Sequence, residues 1–288
     1  MASTLTLPDS RTLNYRLDSP ARSSDAPLVV LSNSLLAPLP VWDHVAKVLH
    51  SNGYNTLRYD QPGHGGSSAP KDLSTTTFDS MADDVHHLLK TLSINKVHSW
   101  VGVSMGASAG VYFTTKYPNI VRKLAICDTI SSSPINAGTE DTFTTRVAAA
   151  REAGNLESMI ESTMDRWFGK HWMDKNSEET QRMRKVKSGS TLDGFITCCN
   201  ALSSKAFDLR PRLPKIGASV DDAICIVGAK DANLPESMAE MRDEIQQSFD
   251  EAVKSQNIDL VIIPDAGHVS FVDGYDQFMA ELLKWLAR

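Results

Sequence analysis

Along the first 130 residues, short β-branched apolar runs alternate with stretches in which apolar positions recur every three or four residues. "TLTL" and "TLNYRLD" read as two strands joined by a turn at Pro8-Asp9-Ser10. "PLVVLSN" (Pro27–Asn33) has the compactness of a buried strand, and a helix is predicted over Trp42–Leu49. "YNTLRYD" gives the next strand, ending at Asp60 before the loop "QPGHGGSSAP". Phe78, Met81, Val85, Leu88 and Leu89 then fall at helical spacing. "VHSWVGV" is a strand, "GASAGVYFTTKYP" a helix stopped near Pro118, and "VRKLAICDT" a sixth strand. This rhythm predicts a mostly parallel sheet flanked by helices.

From Ile130 to Pro214 the strand signal stops. "NLESMIESTMDRWFG" places Leu156, Ile160, Met164 and Phe168 on one helical face, and "TLDGFITCCNALSSKAF" also reads as helical. The basic run "QRMRKVKSG" reads as a solvated helix end or loop. Alternation resumes with the strand "AICIVGAK" (Ala223–Lys230), a polar-faced helix from Pro235 to about Lys254, the strand "IDLVIIP" and a closing helix "FMAELLKWLA". The expected organisation is a core domain of residues 1–129 and 215–288, interrupted by a helical cap of residues 130–214.

Composition narrows the function classes. At 288 residues, 41% hydrophobic and 22% charged, the chain can bury a full core. A formal net charge of -6 speaks against a nucleic-acid partner. No apolar run is long enough to span a bilayer, and no secretory signal is visible, so a cytoplasmic monomer or homodimer is expected. Cys127, Cys198, Cys199 and Cys225 form no C-x-x-C pair and read as reduced thiols. No spaced His/Cys cluster, dinucleotide fingerprint or phosphate-binding loop occurs, so no metal and no cofactor are expected.

The candidate chemistry centres on "GVSMG" (Gly102–Gly106), which fits G-x-S-x-G between a strand and a helix. A serine on so sharp a turn needs small neighbours, and the turn presents Ser104 Oγ above the sheet. A hydroxyl nucleophile requires a base. His268, in the loop after "LVIIP", fits that role, with His64 as the alternative and more naturally a brace for the neighbouring loop by hydrogen bonds. The base requires an orienting acid. Asp231 ends the strand "ICIVGAKD", and the order Ser104, Asp231, His268 suits this architecture, with Asp128 and Asp265 as rivals. An oxyanion would be held by the backbone N–H of Met105 and of Leu35 or Ser34.

"LSNSLLAPLPVWD", "LRYDQPGHGGSSAP", "VGVSMGASAGVYFTTKYP", "RWFGKHW" and "IVGAKDANLP" together resemble the α/β-hydrolase fold family, and within it the 3-oxoadipate enol-lactonases and their relatives. The resemblance implies a serine hydrolase that opens a small lactone or enol lactone, or cleaves a related ester, with Ser104, Asp231 and His268 as triad. It also implies a helical cap whose residues set specificity. Trp167 would wall the substrate, and Arg166, Arg146 or Arg58 would meet a substrate carboxylate. The chain departs from the pattern at Leu36-Ala37-Pro38-Leu39, Gly66 and Gly106-Ala107-Ser108, all near the entrance. Two other classes remain on the same scaffold: a C–C bond hydrolase or non-hydrolytic acyl or cyclising enzyme, and a non-catalytic receptor that retains the triad.

Overall fold

The computed structural model describes residues 2–19 and 26–288. Eight strands form one sheet in the order β1-β2-β4-β3-β5-β6-β7-β8. They are β1 (Ser3–Thr6), β2 (Thr12–Asp18), β3 (Leu28–Ser32), β4 (Asn55–Tyr59), β5 (Val97–Val103), β6 (Val121–Cys127), β7 (Asp222–Gly228) and β8 (Asp259–Ile263). β1 and β2 run antiparallel at one edge, and β4 through β8 are parallel with β3 among them. The central strands are covered on both faces, which is why β4 and β7 are buried at every position and carry no polar-out alternation.

The covering helices of the core are α1 (Asp43–Ser51), α2 (Phe78–Thr91) and α3 (Met105–Lys116) before the insertion. Thr77 caps α2 through a reciprocal bond with Ser80. Between β6 and β7 lie α4 (Pro134–Ala137), α5 (Thr142–Ala153), α6 (Glu157–Lys175), α7 (Ser177–Lys187), α8 (Leu192–Ser203) and α9 (Ile216–Ser219). The chain then returns to the sheet and adds α10 (Leu234–Glu251), α11 (Ser270–Asp273) and α12 (Tyr275–Leu286). The architecture is therefore a mostly parallel sheet with flanking helices and an inserted helical region, as the alternation and its interruption predict.

Two details differ from the sequence reading. α6 breaks at Gly169, whose φ of 70° and ψ of 152° are non-helical, but it resumes beyond the stretch read from the sequence, running to Lys175 and burying Met173. The basic run "QRMRKVKSG" is not a solvated end: it forms most of α7, and Met183, Val186 and Lys187 are buried. Arg182 pairs with Glu179 and Arg184 with Glu161 on the outer side. A high charge count concealed an inward face only three residues wide.

Candidate active site

All six loops that bear candidate residues leave the carboxyl ends of β3 to β8, where an open parallel sheet forms its crevice. The turn after β5 is strained. Ser104 has φ 54° and ψ −119°, a combination that L residues hold only under surrounding constraint. That constraint is visible. Ser104 N–H donates to Cys127 O on β6 at 2.8 Å, and the carbonyl of Ser104 accepts from Ala107 and Ser108 as α3 begins. A Cβ on Gly102 would collide with the Gly106 carbonyl, and one on Gly106 with the backbone of Ser32. The two glycines thus permit α3 to close directly over β3 and β5.

A cavity of about 490 Å³ opens above this turn. Ser104, Met105, Ser34, Leu35, Asp231 and His268 all line it. His268 Nδ1 lies 2.7 Å from Asp231 Oδ2, both side chains nearly closed to solvent. The bond fixes the proton on Nδ1 and leaves Nε2 as the basic nitrogen. Burial pushes the imidazolium below the ordinary histidine value, against the pull of Asp231, and the charges of Arg166 and Lys187 push the same way. His268 is thus neutral at pH 7, the form a general base requires.

The rival residues are otherwise engaged. Asp128 is fully buried, with Oδ1 accepting from Gly228 N–H (2.8 Å) and Oδ2 from Ser270 Oγ (2.9 Å). Burial raises its pKa well above the carboxylate range, and Asp231 adds to the effect. It ties the loop after β7 to the one after β8. Asp265 is exposed and pairs with Lys230 at 2.7 Å. His64 is fully buried between two backbone groups, with Nδ1 2.9 Å from Pro62 O and Nε2 accepting from Leu36 N–H at 3.0 Å. It therefore braces the loop that carries Ser34 and Leu35. Burial takes its pKa down to about 4, consistent with a permanently neutral brace.

Gly267 owes its place to the cap. Its φ is not positive; instead the Trp167 carbonyl occupies the space where its Cβ would stand. Its N–H donates to Asp273 Oδ2 at 2.7 Å, and burial takes the Asp273 carboxyl up to about 7. The base loop is thereby held from α6 on one side and α11 on the other.

Of the predicted substrate contacts, Trp167 and Arg166 line the cavity, and so does Arg146. Arg58 does not. It is buried on β4, donating to Asp43 (2.6 Å) and Asp18 (2.9 Å), so its role is to join β2, β4 and α1. Arg166 is exposed overall and has no ion-pair partner among the described residues; desolvation of its head, then Arg146, lowers its pKa to about 10, against the pull of Asp231. Arg146 donates to Thr163 Oγ1 and packs over Phe195, also without a carboxylate. Sequence reasoning missed Thr129, Phe143 and Asn233 in the lining, because a lining residue far along the chain carries no local signal. Among the described residues no group of His, Cys, Asp and Glu could hold a metal, and no helix is long and apolar enough to cross a membrane.

The sheet order, the strained serine turn and the buried histidine–aspartate pair define a class, and residues 27–275 match the model of the alpha/beta hydrolase fold: the chain belongs to that family. Its general equipment is that of an esterase-type serine hydrolase. Among individual proteins, it is 28% identical over 274 residues to 3-oxoadipate enol-lactonase 1 of Acinetobacter baylyi, covering 93% of this chain and 91% of that one. The crystal structure of the enol-lactonase from Burkholderia xenovorans LB400 superimposes with a TM-score of 0.83 at 28% identity, over 99% of this chain and 100% of that one. A hydrolase from Pseudomonas aeruginosa PA01 gives a TM-score of 0.82 at 26% identity, over 100% and 98% of the two chains.

Proposed function

We propose that the protein is a carboxylic ester hydrolase that opens a small lactone or enol lactone through an acyl-enzyme, the acyl portion bearing a carboxylate. Ser104 Oγ attacks the carbonyl carbon while His268 Nε2 takes its proton, and Asp231 stabilises the imidazolium. The N–H groups of Met105 and of Leu35 or Ser34 hold the oxyanion. As the ring C–O bond breaks, His268 returns the proton to the leaving oxygen; an enol so released becomes a ketone. Water, deprotonated by His268, then attacks the acyl-enzyme and frees the acid and Ser104.

The observation that carries this reading is the cavity itself. It joins the serine turn and the 2.7 Å His268–Asp231 pair to two guanidinium side chains without carboxylate partners. Arg166 is exposed and Arg146 half-buried, so both heads are open to an incoming anion, and an anionic substrate would supply the missing partner through charge-assisted hydrogen bonds. The likeness to enol-lactonases supports the same substrate class. The four buried free cysteines suit a reducing, cytoplasmic setting.

The test uses a fluorophosphonate probe and a panel of carboxylated enol lactones, aryl esters and vinylogous diketones, with products identified by mass. The wild type is expected to label and to open the lactones. S104A is expected to stay folded while losing both labelling and turnover. Turnover by S104A, or cleavage of the diketones alone, would overturn the reading.

A further inference from the structure

Lys187 ends α7 with its side chain fully buried. Its Nζ has no hydrogen-bond or ion-pair partner among the described residues. A lysine near a helix end ordinarily carries its head to water along its aliphatic stem. Its neighbours Arg182 and Arg184 do reach acidic partners on the outer side of the same helix. Lys187 instead turns inward and sets Nζ 3.1 Å from the ring centroid of Trp167. An indole face is the strongest aromatic partner for a cation.

Trp167 is where the cap meets the catalytic crevice. It lines the cavity with Ser104, its ring centroid lies 5.4 Å from that of His268, and its carbonyl presses on Gly267. Nothing polar orients the ring, because its Nε1–H is buried without a partner. Its own helix breaks two residues later at Gly169. Lys187, by contrast, is anchored to the core. Just beyond it, Gly189 O accepts from Gly65 N–H and Thr191 N–H donates to Gly63 O, so the end of α7 is bonded to the His64 loop.

We propose that Lys187 is a positioning residue of the acyl cavity: laid on the face of Trp167, it clamps the indole wall beside His268 from the core side. The clamp explains why an amine tolerates this site. Burial holds it well below the ordinary lysine value, and the like charges of Arg166 and Arg146 add to that. The indole face offsets part of the cost. The inference rests on the hydrolase reading for what the wall does, though not for the contact itself.

Two measurements test it. In the wild type, the Lys187 Hε protons are expected far upfield by NMR, from the ring current of Trp167, and are expected to return towards ordinary lysine values in W167L. Ordinary shifts in the wild type would overturn the clamp, whether or not any Lys187 variant folds. The second is a cycle of K187M, W167L and the double variant on a lactone that the wild type turns over. K187M keeps the bulk and loses the head; kcat/KM is expected to fall about ten-fold, chiefly through KM. Because Lys187 acts through Trp167, the double variant is expected to lose no more than W167L alone. Wild-type kinetics in K187M, or additive losses, would overturn the proposal. A wild type that labels with fluorophosphonate while K187M matches it rejects Lys187 alone. A wild type that neither labels nor turns over rejects the hydrolase reading, and the NMR result then decides the clamp.

Discussion

Three carboxyls crowd the His268 loop, Asp128 and Asp231 buried and Asp273 half-buried, and each is distinguished by what donates to it. Asp231 accepts from the imidazole, Asp128 from Gly228 N–H and Ser270 Oγ, and Asp273 from Gly267 N–H. On the proposed roles, D231N is expected to lower kcat about 10³–10⁴-fold, because an amide cannot hold the imidazole in the same tautomer. Its fold should be unchanged by circular dichroism. D128A is expected to act differently, leaving two buried donors unpaired and costing about 1–3 kcal/mol of stability in denaturant unfolding. The pH profile adds a second check. His268 titrates below the ordinary value of 6.5, so its neutral form is present above that pH and is lost as pH falls. The acid limb of kcat/KM is therefore expected below pH 6.5, measured with a substrate that does not ionise in the range. A limb above 7 would mean that a different group is the base.

Between elements, the decisive contact is that of the cap with the loop after β4. Thr191 caps α8 by accepting from Gly194 N–H, and its Oγ1 also donates to Gly63 O at 2.8 Å. Gly63 and Gly194 approach so closely that a Cβ on either would strike the other's backbone. Alanine in an exposed helix favours stability over glycine by about 1 kcal/mol. Here the collision is with backbone, which cannot rotate away, and overpacking costs about 1–3 kcal/mol. G194A is accordingly expected to lower stability in thermal or denaturant unfolding, against helix propensity. The glycine of "TLDGF" was legible only as a blemish in a helix, since its partner lies 131 residues earlier. His64 was more transparent as a brace, but only its contact with Pro62 O is local; its other partner, Leu36 N–H, lies 28 residues earlier.

For the molecule as a whole, net charge and local charge point in opposite directions. The chain carries a formal charge of -6, yet Arg146 and Arg166 line the cavity above Ser104 without carboxylate partners and Lys187 is buried behind Trp167. On the proposed function, R166M is expected to raise KM for carboxylate-bearing lactones about ten- to a hundred-fold, the worth of a hydrogen bond to a charged group. Neutral aryl esters should be hydrolysed with little change, and the ratio of the two in steady-state kinetics checks the assignment. An equal loss on both substrates would place Arg166 in the structure of the cavity instead of in recognition.

The alternation of apolar runs and helical stripes determined the sheet, its interruption after β6 and the serine turn, because each rests on neighbours within a few residues. That Ser104, Asp231 and His268 line one cavity was legible because loops at strand ends announce themselves by glycine and by the end of an apolar run. Tertiary structure alone decided which charges are paired. Arg58 and Arg166 look alike along the chain, but one is held between Asp18 and Asp43 and the other opens on the cavity. Lys187 sits in a run of four basic residues, yet it is the one folded against an indole. Burial and ion pairing are relations between distant segments, and local pattern does not encode them.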